Sequence, residues 1–187
     1  MWFRKKTNKP FAPINFGSGL LRPVTLDEWQ VFRAFYLRAL KEHPTCSADD
    51  YSMMKDVEAE QWKAMIEHAL TDIGSFLAAY VDKSTGAYHG LVYLHGHNEA
   101  KRSHETDVHL FLMTNGAVQY AEEMWQAVFD YLKANGDIER IKAPVNSRDR
   151  ESVILYTKLG FRRYGFDEQF YRIGKKYLDA VLMMKTL

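Results

Sequence analysis

One segment near the end of the chain, VNSRDRESVILYTKLGF (Val145–Phe161), combines residue types whose uses go beyond packing. Asn146 and Asp149 come first, and Asp149 is a good helix N-cap. Tyr156 lies on the apolar side of the predicted helix, which Gly160 ends. Tyr156 is therefore either a half-buried core aromatic that carries a hydroxyl or a group that gives a proton to a ligand.

A second set of ionisable side chains occurs in HETDVHLFLM (His104–Met113), which is predicted as a β-strand. Because strand side chains alternate between faces, three apolar residues should face one way and three ionisable residues the other: Val108, Leu110 and Leu112 against Glu105, Asp107 and His109. Such a polar face is either solvated or lines a reactive cleft, and both interpretations stay open.

Three histidines of the preceding predicted strand, His89, His95 and His97, share one face and are candidates for the same cleft. Three histidines on one strand do not make a metal site without further ligands. The sequence contains no CxxC motif or Cys/His cluster, so we predict no metal.

The elements that must position these residues follow a clear order from Ser18 onward. A strand, two helices and three strands come first, and a helix, a strand, a helix and two strands follow. This order predicts one α/β (α+β) domain over residues 18–187, with a mixed, mostly antiparallel sheet and helices on both faces.

Composition narrows the class of protein. Of 187 residues, 47% are hydrophobic and 26% are charged, and the formal net charge is +1, so general attraction to nucleic acid is not expected. Cys46 is the single cysteine and cannot form an internal disulfide. No apolar run approaches the ~18 residues of a membrane span, and the first residues lack the apolar stretch of a signal peptide. We expect a cytoplasmic protein.

Residues 1–17 form a predicted basic, aromatic arm. Arg4, Lys5, Lys6 and Lys9 give it a charge of +4 without an acid, which leaves +1 − 4 = −3 on the remaining residues. The arm is either a solvated or back-packed tail or a contact for nucleic acid or another partner.

The order of elements and several motifs together resemble the GNAT superfamily of N-acetyltransferases. VNSRDRESVILYTKLGF resembles the late signature of that family, and LRPVTLDEW (Leu21–Trp29) resembles its first strand and helix. YHGLVYL (Tyr88–Leu94) and YLDAVLMMKTL (Tyr177–Leu187) are similar to two of its later strands. The resemblance implies a central pair of parallel strands that splay apart, here His104–Met113 and Ile138–Val145.

The resemblance also implies a reaction, the direct transfer of an acetyl group from acetyl-CoA to a primary amine. Tyr156 takes the place of the proton donor to the coenzyme A sulfur. Glu105 is the first candidate for the base that deprotonates the amine, and His109 is the second. The acceptor is a small-molecule amine or a protein amine, and a homodimer is neither indicated nor excluded.

The cofactor contacts implied by the family lie after the central strand and around the late signature. They are Phe111, Met113, Gly116, Ala117, Gln119, Ala121, Asn146, Asp149, Ser152 and Tyr156.

Two of these positions depart from the family pattern. Gln119 replaces a glycine of the phosphate loop, and no Arg or Lys lies between Met113 and Asp130. Asp149 replaces the usual Asn. Two functions therefore remain open: an active N-acetyltransferase, or a GNAT-fold binding or regulatory protein that has lost coenzyme A.

Overall fold

A computed structural model of the chain describes residues 10–114 and 116–187. The strands in this part are β1 Ile14–Phe16, β2 Gly19–Pro23, β3 Phe76–Asp82, β4 Tyr88–Gly96, β5 Glu105–Met113, β6 Arg140–Asn146, β7 Arg162–Ile173 and β8 Lys176–Thr186. The helices are α1 Trp29–Glu42, α2 Tyr51–Met54, α3 Ala59–Thr71, α4 Ala121–Asn135 and α5 Arg150–Lys158. None of these helices is long and apolar enough to cross a bilayer.

All eight strands belong to one sheet, in the order β1-β2-β3-β4-β5-β6-β8-β7. Every neighbouring pair is antiparallel except β5 and β6, which are parallel. The predicted mixed, mostly antiparallel sheet with a central parallel pair is therefore confirmed. The parallel pair arises because β5, α4 and β6 form a strand–helix–strand crossover.

Helices cover both faces of the sheet, and each face has its own apolar core. On one face, α1 and α3 bury Phe32, Tyr36 and Trp62 against the inner strands, including Leu91. On the other face, α4 and α5 bury a second cluster that is centred on Trp125. Each large side chain that is fully buried contributes roughly 1.5–3 kcal/mol, so the two clusters hold the sheet rigidly from both sides.

The strict alternation predicted for β5 is wrong beyond its first half. Tyr93 of β4 pairs with Leu110, and the next residue of β4 pairs with Val108, so His109 is an extra residue without a partner in β4. This β-bulge changes the face on which the following side chains lie. Val108 packs with the α4 core, whereas Leu110 and Leu112 pack with the α1 and α3 core.

The described part of the predicted arm, residues 10–17, lies against the domain. Phe11 is 8% exposed and its ring lies edge-on to Phe76 and Tyr131, with centroids 5.1 and 5.3 Å away. Residues Ile14–Phe16 form β1 and pair with β2. The four basic residues of the arm lie outside the described residues, and its role in binding a partner stays a prediction.

The burial of Phe11 gives a test of this packing. Phe11→Ala should lower the free energy of unfolding by about 3 kcal/mol, because it removes a ring from a packed cluster. Chemical denaturation would measure the change, with Phe166→Ala as the matched control, since Phe166 is 44% exposed. Equal effects of the two substitutions would show that Phe11 does not belong to the core.

Candidate active site

The central feature of the site is a gap between the two parallel strands. β5 and β6 pair only through Glu105 with Arg140, Thr106 with Ile141, and Asp107 with Lys142. Beyond these three pairs β5 continues along β4 and β6 continues along β8. The backbone groups of both strands that face the gap therefore have no ladder partner, which is costly unless water or a ligand pairs with them.

Two local features explain why the strands separate. The bulge at His109 bends β5 directly after its last pair with β6. In β6, Pro144 has no N–H, and its carbonyl accepts a hydrogen bond from the Tyr171 hydroxyl at 3.1 Å. The two strands cannot continue a regular ladder past this point.

A cavity of about 360 Å³, here called the gap cavity, occupies the opening. Its walls come from the ends of β5 and β6, the segment after α1, and the first turns of α5. The lining residues that matter below are Val108, Phe111, Pro144, Asn146, Arg148, Asp149, Ser152 and Tyr156. Five of the ten predicted cofactor residues therefore meet in one cavity: Phe111, Asn146, Asp149, Ser152 and Tyr156.

The capping of α5 determines how this wall is built. Asp149 is the N-cap, and it accepts hydrogen bonds from the Ser152 backbone N–H at 3.0 Å and from the Ser152 hydroxyl at 2.7 Å. Asn146 accepts a hydrogen bond from the Arg148 N–H at 3.1 Å. These bonds fix the start of the helix beside the gap, and Arg148 adds a positive charge that sequence reasoning missed.

The other five predicted cofactor residues do not line the gap cavity. Met113 packs against the α4 core, and the side chains of Ala117 and Ala121 are buried at 0% and 4% exposure. Any contact from these two alanines to a ligand must therefore come from the backbone. Gly116 directly precedes Ala117, and Gln119 lies between the two alanines, in the segment that leads from β5 to α4.

That loop takes its shape from Gly116. Its φ of 78° is in the left-handed region, and no atom lies within 4 Å of the place where a Cβ would stand. Gln119 is exposed, and its side-chain amide donates a hydrogen bond to the Gly116 carbonyl at 3.0 Å. The Gln119 side chain is therefore held by its own loop, at the N-terminal end of α4.

A second cavity, here called the side cavity, has a volume of about 360 Å³ and adjoins the first. The two share the lining residues Cys46, Val108 and Pro144. The rest of the side cavity is lined by both polar and aromatic groups, among them His95, Arg102, Asp107, His109, Lys142, Tyr164, Phe170 and Tyr171. A ligand in one cavity can therefore meet a ligand in the other at the point where the strands separate.

Tyr156 is the buried residue of α5, at 5% exposure. Its ring lies edge-on to Phe161 and Trp125, with centroids 4.9 and 5.9 Å away. Burial raises the pKa of Tyr156 well above its usual range, so the phenol stays protonated. The two interpretations of Tyr156 are thus compatible in space, since the ring packs in the core and the residue also lines the gap cavity.

His109, the bulged residue of β5, is part of a group of three polar side chains. Its Nε2 lies 2.8 Å from the Tyr36 hydroxyl and 3.1 Å from Asp49 Oδ2, and the buried Tyr36 hydroxyl donates to that carboxylate oxygen at 2.6 Å. If neutral His109 donates its Nε2–H to Asp49, both this N–H and the Tyr36 hydroxyl have an acceptor. His109 Nδ1 then keeps a free lone pair. The hydrogen bond from His109, and then that from Tyr36, lowers the pKa of Asp49.

Glu105 lies at the base of the gap, in the paired part of β5, and not in the lining of either cavity. Its side chain is 6% exposed and accepts a hydrogen bond from Lys142 Nζ at 2.6 Å, with Arg140 at 3.0 Å. The bond from Lys142 lowers the pKa of Glu105. Its role as the first-choice base stays a prediction, but this environment makes it a weaker base than an ordinary Glu.

The three histidines of β4 and its following turn have different surroundings. His95 lines the side cavity 6.3 Å from the His109 ring, and burial lowers its pKa. His97 Nε2 lies 3.1 Å from Asp107. The backbone carbonyl of His89 accepts a hydrogen bond from the Thr114 hydroxyl. Among the described residues, no three His, Cys, Asp or Glu side chains form a group that could hold a metal ion.

The main residue that sequence reasoning missed is Asp49. It precedes Asp50, which caps α2 by accepting a hydrogen bond from the Ser52 N–H. In the sequence, the two adjacent aspartates are therefore typical of a helix start. The separation of 60 residues between Asp49 and His109 leaves no spacing signal in the sequence. The single usable hint was the polar character of position 109 in an otherwise apolar half-strand.

Comparison with known families now decides the class of protein. The family model described as "Acetyltransferase (GNAT) domain" matches residues 26–182, which is most of the chain. The chain belongs to the GNAT acetyltransferase family. The resemblance stated from the sequence is thereby confirmed, and no curated protein matches the chain.

Solved structures of GNAT proteins show the same fold. A GNAT-family acetyltransferase from Streptococcus pneumoniae has a TM-score of 0.79 at 19% identity, and the match covers 90% of this chain and 99% of that one. A ribosomal-protein-S5-alanine acetyltransferase from Vibrio fischeri has a TM-score of 0.73 at 17% identity, with 94% and 96% covered.

A GNAT phosphinothricin acetyltransferase from Sinorhizobium meliloti, solved in complex with acetyl-CoA, is similar as well. Its TM-score is 0.74 at 15% identity, and the match covers 91% of this chain and 89% of that one. At these identities the likeness establishes the fold, while the acceptor must be argued from the site.

The cluster around Glu105 gives a pH-dependent prediction. Its pKa in the folded protein is lowered from 4.5, so the charged pair stabilises the fold above about pH 4.5 and loses that effect as the pH falls. Glu105→Gln should therefore reduce the free energy of unfolding by about 2 kcal/mol at pH 7, and by less at pH 3 to 4.

Denaturant titrations at several pH values would measure this difference, with the exposed Glu123→Gln as control. If the effect of Glu105→Gln is the same at pH 7 and pH 3, the contribution of Glu105 comes from packing and not from its ion pairs.

Proposed function

We propose that this GNAT-family protein transfers an acetyl group from acetyl-CoA to a primary amine. The observation that carries the proposal is the cleft between β5 and β6, which joins two cavities at one point. A potential proton donor, Tyr156, lines the gap cavity, and a potential base, His109, lines the side cavity. Acetyl-CoA, when bound, supplies the activated acetyl group as a thioester.

The gap cavity suits the pantetheine arm of acetyl-CoA. The unpaired peptide groups of β5 and β6 can hydrogen-bond to an amide-containing chain in the way that a strand would. The apolar side chains of Phe111 and Pro144 offer contact to its methylene groups. A ligand of this kind satisfies backbone groups that the sheet leaves open.

The phosphate groups have two available partners despite the atypical loop. The N-terminal end of α4 carries a partial positive charge, and Gly116 keeps the preceding turn open. Arg148 at the start of α5 supplies a cationic side chain beside the gap cavity. Glu122 and Glu123 in the first turn of α4 oppose phosphate binding, so we expect a weaker site than a glycine-rich loop would give.

His109 is the candidate that the geometry favours as general base. A primary amine near pKa ~10 is mostly protonated at neutral pH and must lose a proton before it can attack a thioester. His109 lines the side cavity, and Asp49 holds its Nε2–H, which directs the Nδ1 lone pair away from Asp49. Asp49 also stabilises the positive charge that His109 gains when it accepts a proton.

Tyr156 is the candidate proton donor to the departing thiolate. Its raised pKa keeps the phenol protonated at neutral pH, and its packing against Trp125 and Phe161 fixes the ring beside the gap. A donor held in place in this way gives its proton without first having to be ordered.

The acceptor, a cytoplasmic location and a homodimer remain proposals. The two relatives with named acceptors, for ribosomal protein S5 and for phosphinothricin, act on different kinds of amine according to their names. The acceptor of this chain is either a small-molecule amine or a protein amine.

The direct experiment is a release assay for the free coenzyme A thiol, with acetyl-CoA and a panel of primary amines. The wild-type chain should release thiol above the amine-free background, and His109→Gln should reduce kcat while acetyl-CoA still binds. If no amine promotes release although acetyl-CoA raises the Tm, the protein is a coenzyme-binding protein without this activity. If acetyl-CoA does not bind, the binding or regulatory function applies.

Tyr156→Phe should lower kcat at least about tenfold, which corresponds to about 1.4 kcal/mol of barrier, because the proton donor is lost. The Kd for acetyl-CoA and the Tm should stay close to wild type, since the ring and its packing remain. Tyr131→Phe, in α4, is a suitable control, because the Tyr131 ring packs against Phe11 and Phe76. An unchanged kcat would return Tyr156 to a purely structural role.

Gln119→Gly should leave the affinity for coenzyme A unchanged or raise it. The substitution removes a Cβ from the phosphate-facing loop and frees the Gly116 carbonyl. Isothermal titration with coenzyme A measures the Kd. A marked loss of affinity would mean that the Gln119 side chain itself contacts the ligand or that its hydrogen bond sets the loop conformation.

A further inference from the structure

The side cavity has an uneven distribution of charge. Beside one end, just outside the lining, Glu105 is surrounded by three cations, with Lys142 at 2.6 Å, Arg140 at 3.0 Å and Arg102 at 3.7 Å. In the part of the chain that the structure describes, the ion pairs of these three cations all go to Glu105. The cluster therefore carries a net charge of +3 − 1 = +2.

Two of the three cations face the side cavity, since Arg102 and Lys142 are among its lining residues. Arg102 is about half exposed, and its guanidinium has donors left after its contacts with His97 and Glu105. Asp107 also lines the cavity and contacts His97 at 3.1 Å. Among the lining residues themselves, Arg102 and Lys142 stand against Asp107, which gives this end a charge of +2 − 1 = +1.

The other end of the cavity has the opposite sign. Asp49 is the charged member of the group around His109, because Tyr36 stays protonated and His109 is neutral when it acts as a base. A cationic amine is therefore attracted to the end of the cavity that adjoins the gap cavity. An anionic group is attracted to the end with Arg102 and Lys142.

Part of the remaining wall is aromatic. Tyr164, Phe170 and Tyr171 of β7 line the cavity together with Leu182 of β8. Such walls suit the apolar body of a small ligand whose polar groups lie at its ends. A polyamine fits this arrangement poorly, because its second ammonium would meet Arg102 and Lys142.

We infer that the acceptor is a zwitterionic amine, of the amino acid class, whose carboxylate or similar oxyanion binds Arg102 and Lys142 while its amine faces His109. This inference rests on the proposed acetyl transfer for its choice of reacting group. Arg102 is then a residue that determines specificity, and it does not take part in the chemical step.

The test compares matched acceptors that differ in one charge. L-Methionine, L-phenylalanine and L-glutamate would be compared with their α-carboxamides in the wild type and in Arg102→Gln. Arg102→Gln should raise KM for the acids at least about tenfold and leave kcat and the KM of the amides little changed. Because each acceptor is compared with itself, the different amine pKa values of acids and amides cancel.

Two variants serve as controls. Arg102→Lys keeps the positive charge and should retain most of the preference for the acids, whereas Arg38→Gln, on the exposed side of α1, should change nothing. If the amides are used as well as the acids, or if Arg102→Gln affects both classes equally, the inference is wrong although acetyl transfer itself stands.

A binding measurement separates the inference from the proposed function. Saturation-transfer NMR with the same acids and amides, without acetyl-CoA, reports on acceptor binding without turnover. Preferential binding of the acids that is lost in Arg102→Gln, without turnover of any acceptor, would uphold the cavity assignment and contradict acetyl transfer. Binding of neither class would overturn the inference.

Discussion

Three residue pairs hold β5 to β6, and the separation of the strands beyond Asp107 and Lys142 determines what this protein can do. A parallel ladder needs regular spacing on both strands. The bulge at His109 removes that regularity in β5, and Pro144 removes it in β6. The resulting opening leaves backbone hydrogen-bonding groups without partners in the middle of a sheet. These unpaired groups destabilise the fold less when a ligand forms hydrogen bonds with them. The gap is therefore a candidate ligand-binding site.

The gap stays open because each strand is held by its other neighbour in the sheet. β5 remains paired with β4 up to Met113, and β6 remains paired with β8 up to Asn146. The two apolar cores press on opposite faces of the sheet, so closing the gap would require both to repack. The bulge also places His109 toward the side cavity, so one irregularity creates the opening and positions the candidate base.

Local signals in the sequence were enough to predict much of the architecture. Asp149 caps α5, and Gly136 ends α4 in the left-handed conformation, as their residue types suggest. The clustering of Asn146, Asp149, Ser152 and Tyr156 was also accessible, because the four residues lie on one strand end and one helix. Such short-range patterns depend on backbone geometry that the sequence specifies directly.

The rest of the site depends on contacts between distant segments. The bulge at His109 has no residue signature, since a regular strand would carry the same alternation of polar and apolar residues. Asp49 reaches His109 only because α1 and its following loop lie over β5. The surplus charge around Glu105 likewise appears only when β5, β6 and the loop before β5 are brought together, which the net charge of +1 for the whole chain conceals.

The most direct measurement is hydrogen–deuterium exchange of the backbone amides with and without acetyl-CoA. The account predicts that exchange slows in the gap-lining ends of β5 and β6, over residues 108–113 and 143–146, and that it changes little in β1, β2 and β3. Protection elsewhere, or unchanged exchange in these two segments at saturating acetyl-CoA, would show that the gap between β5 and β6 is not where the cofactor binds.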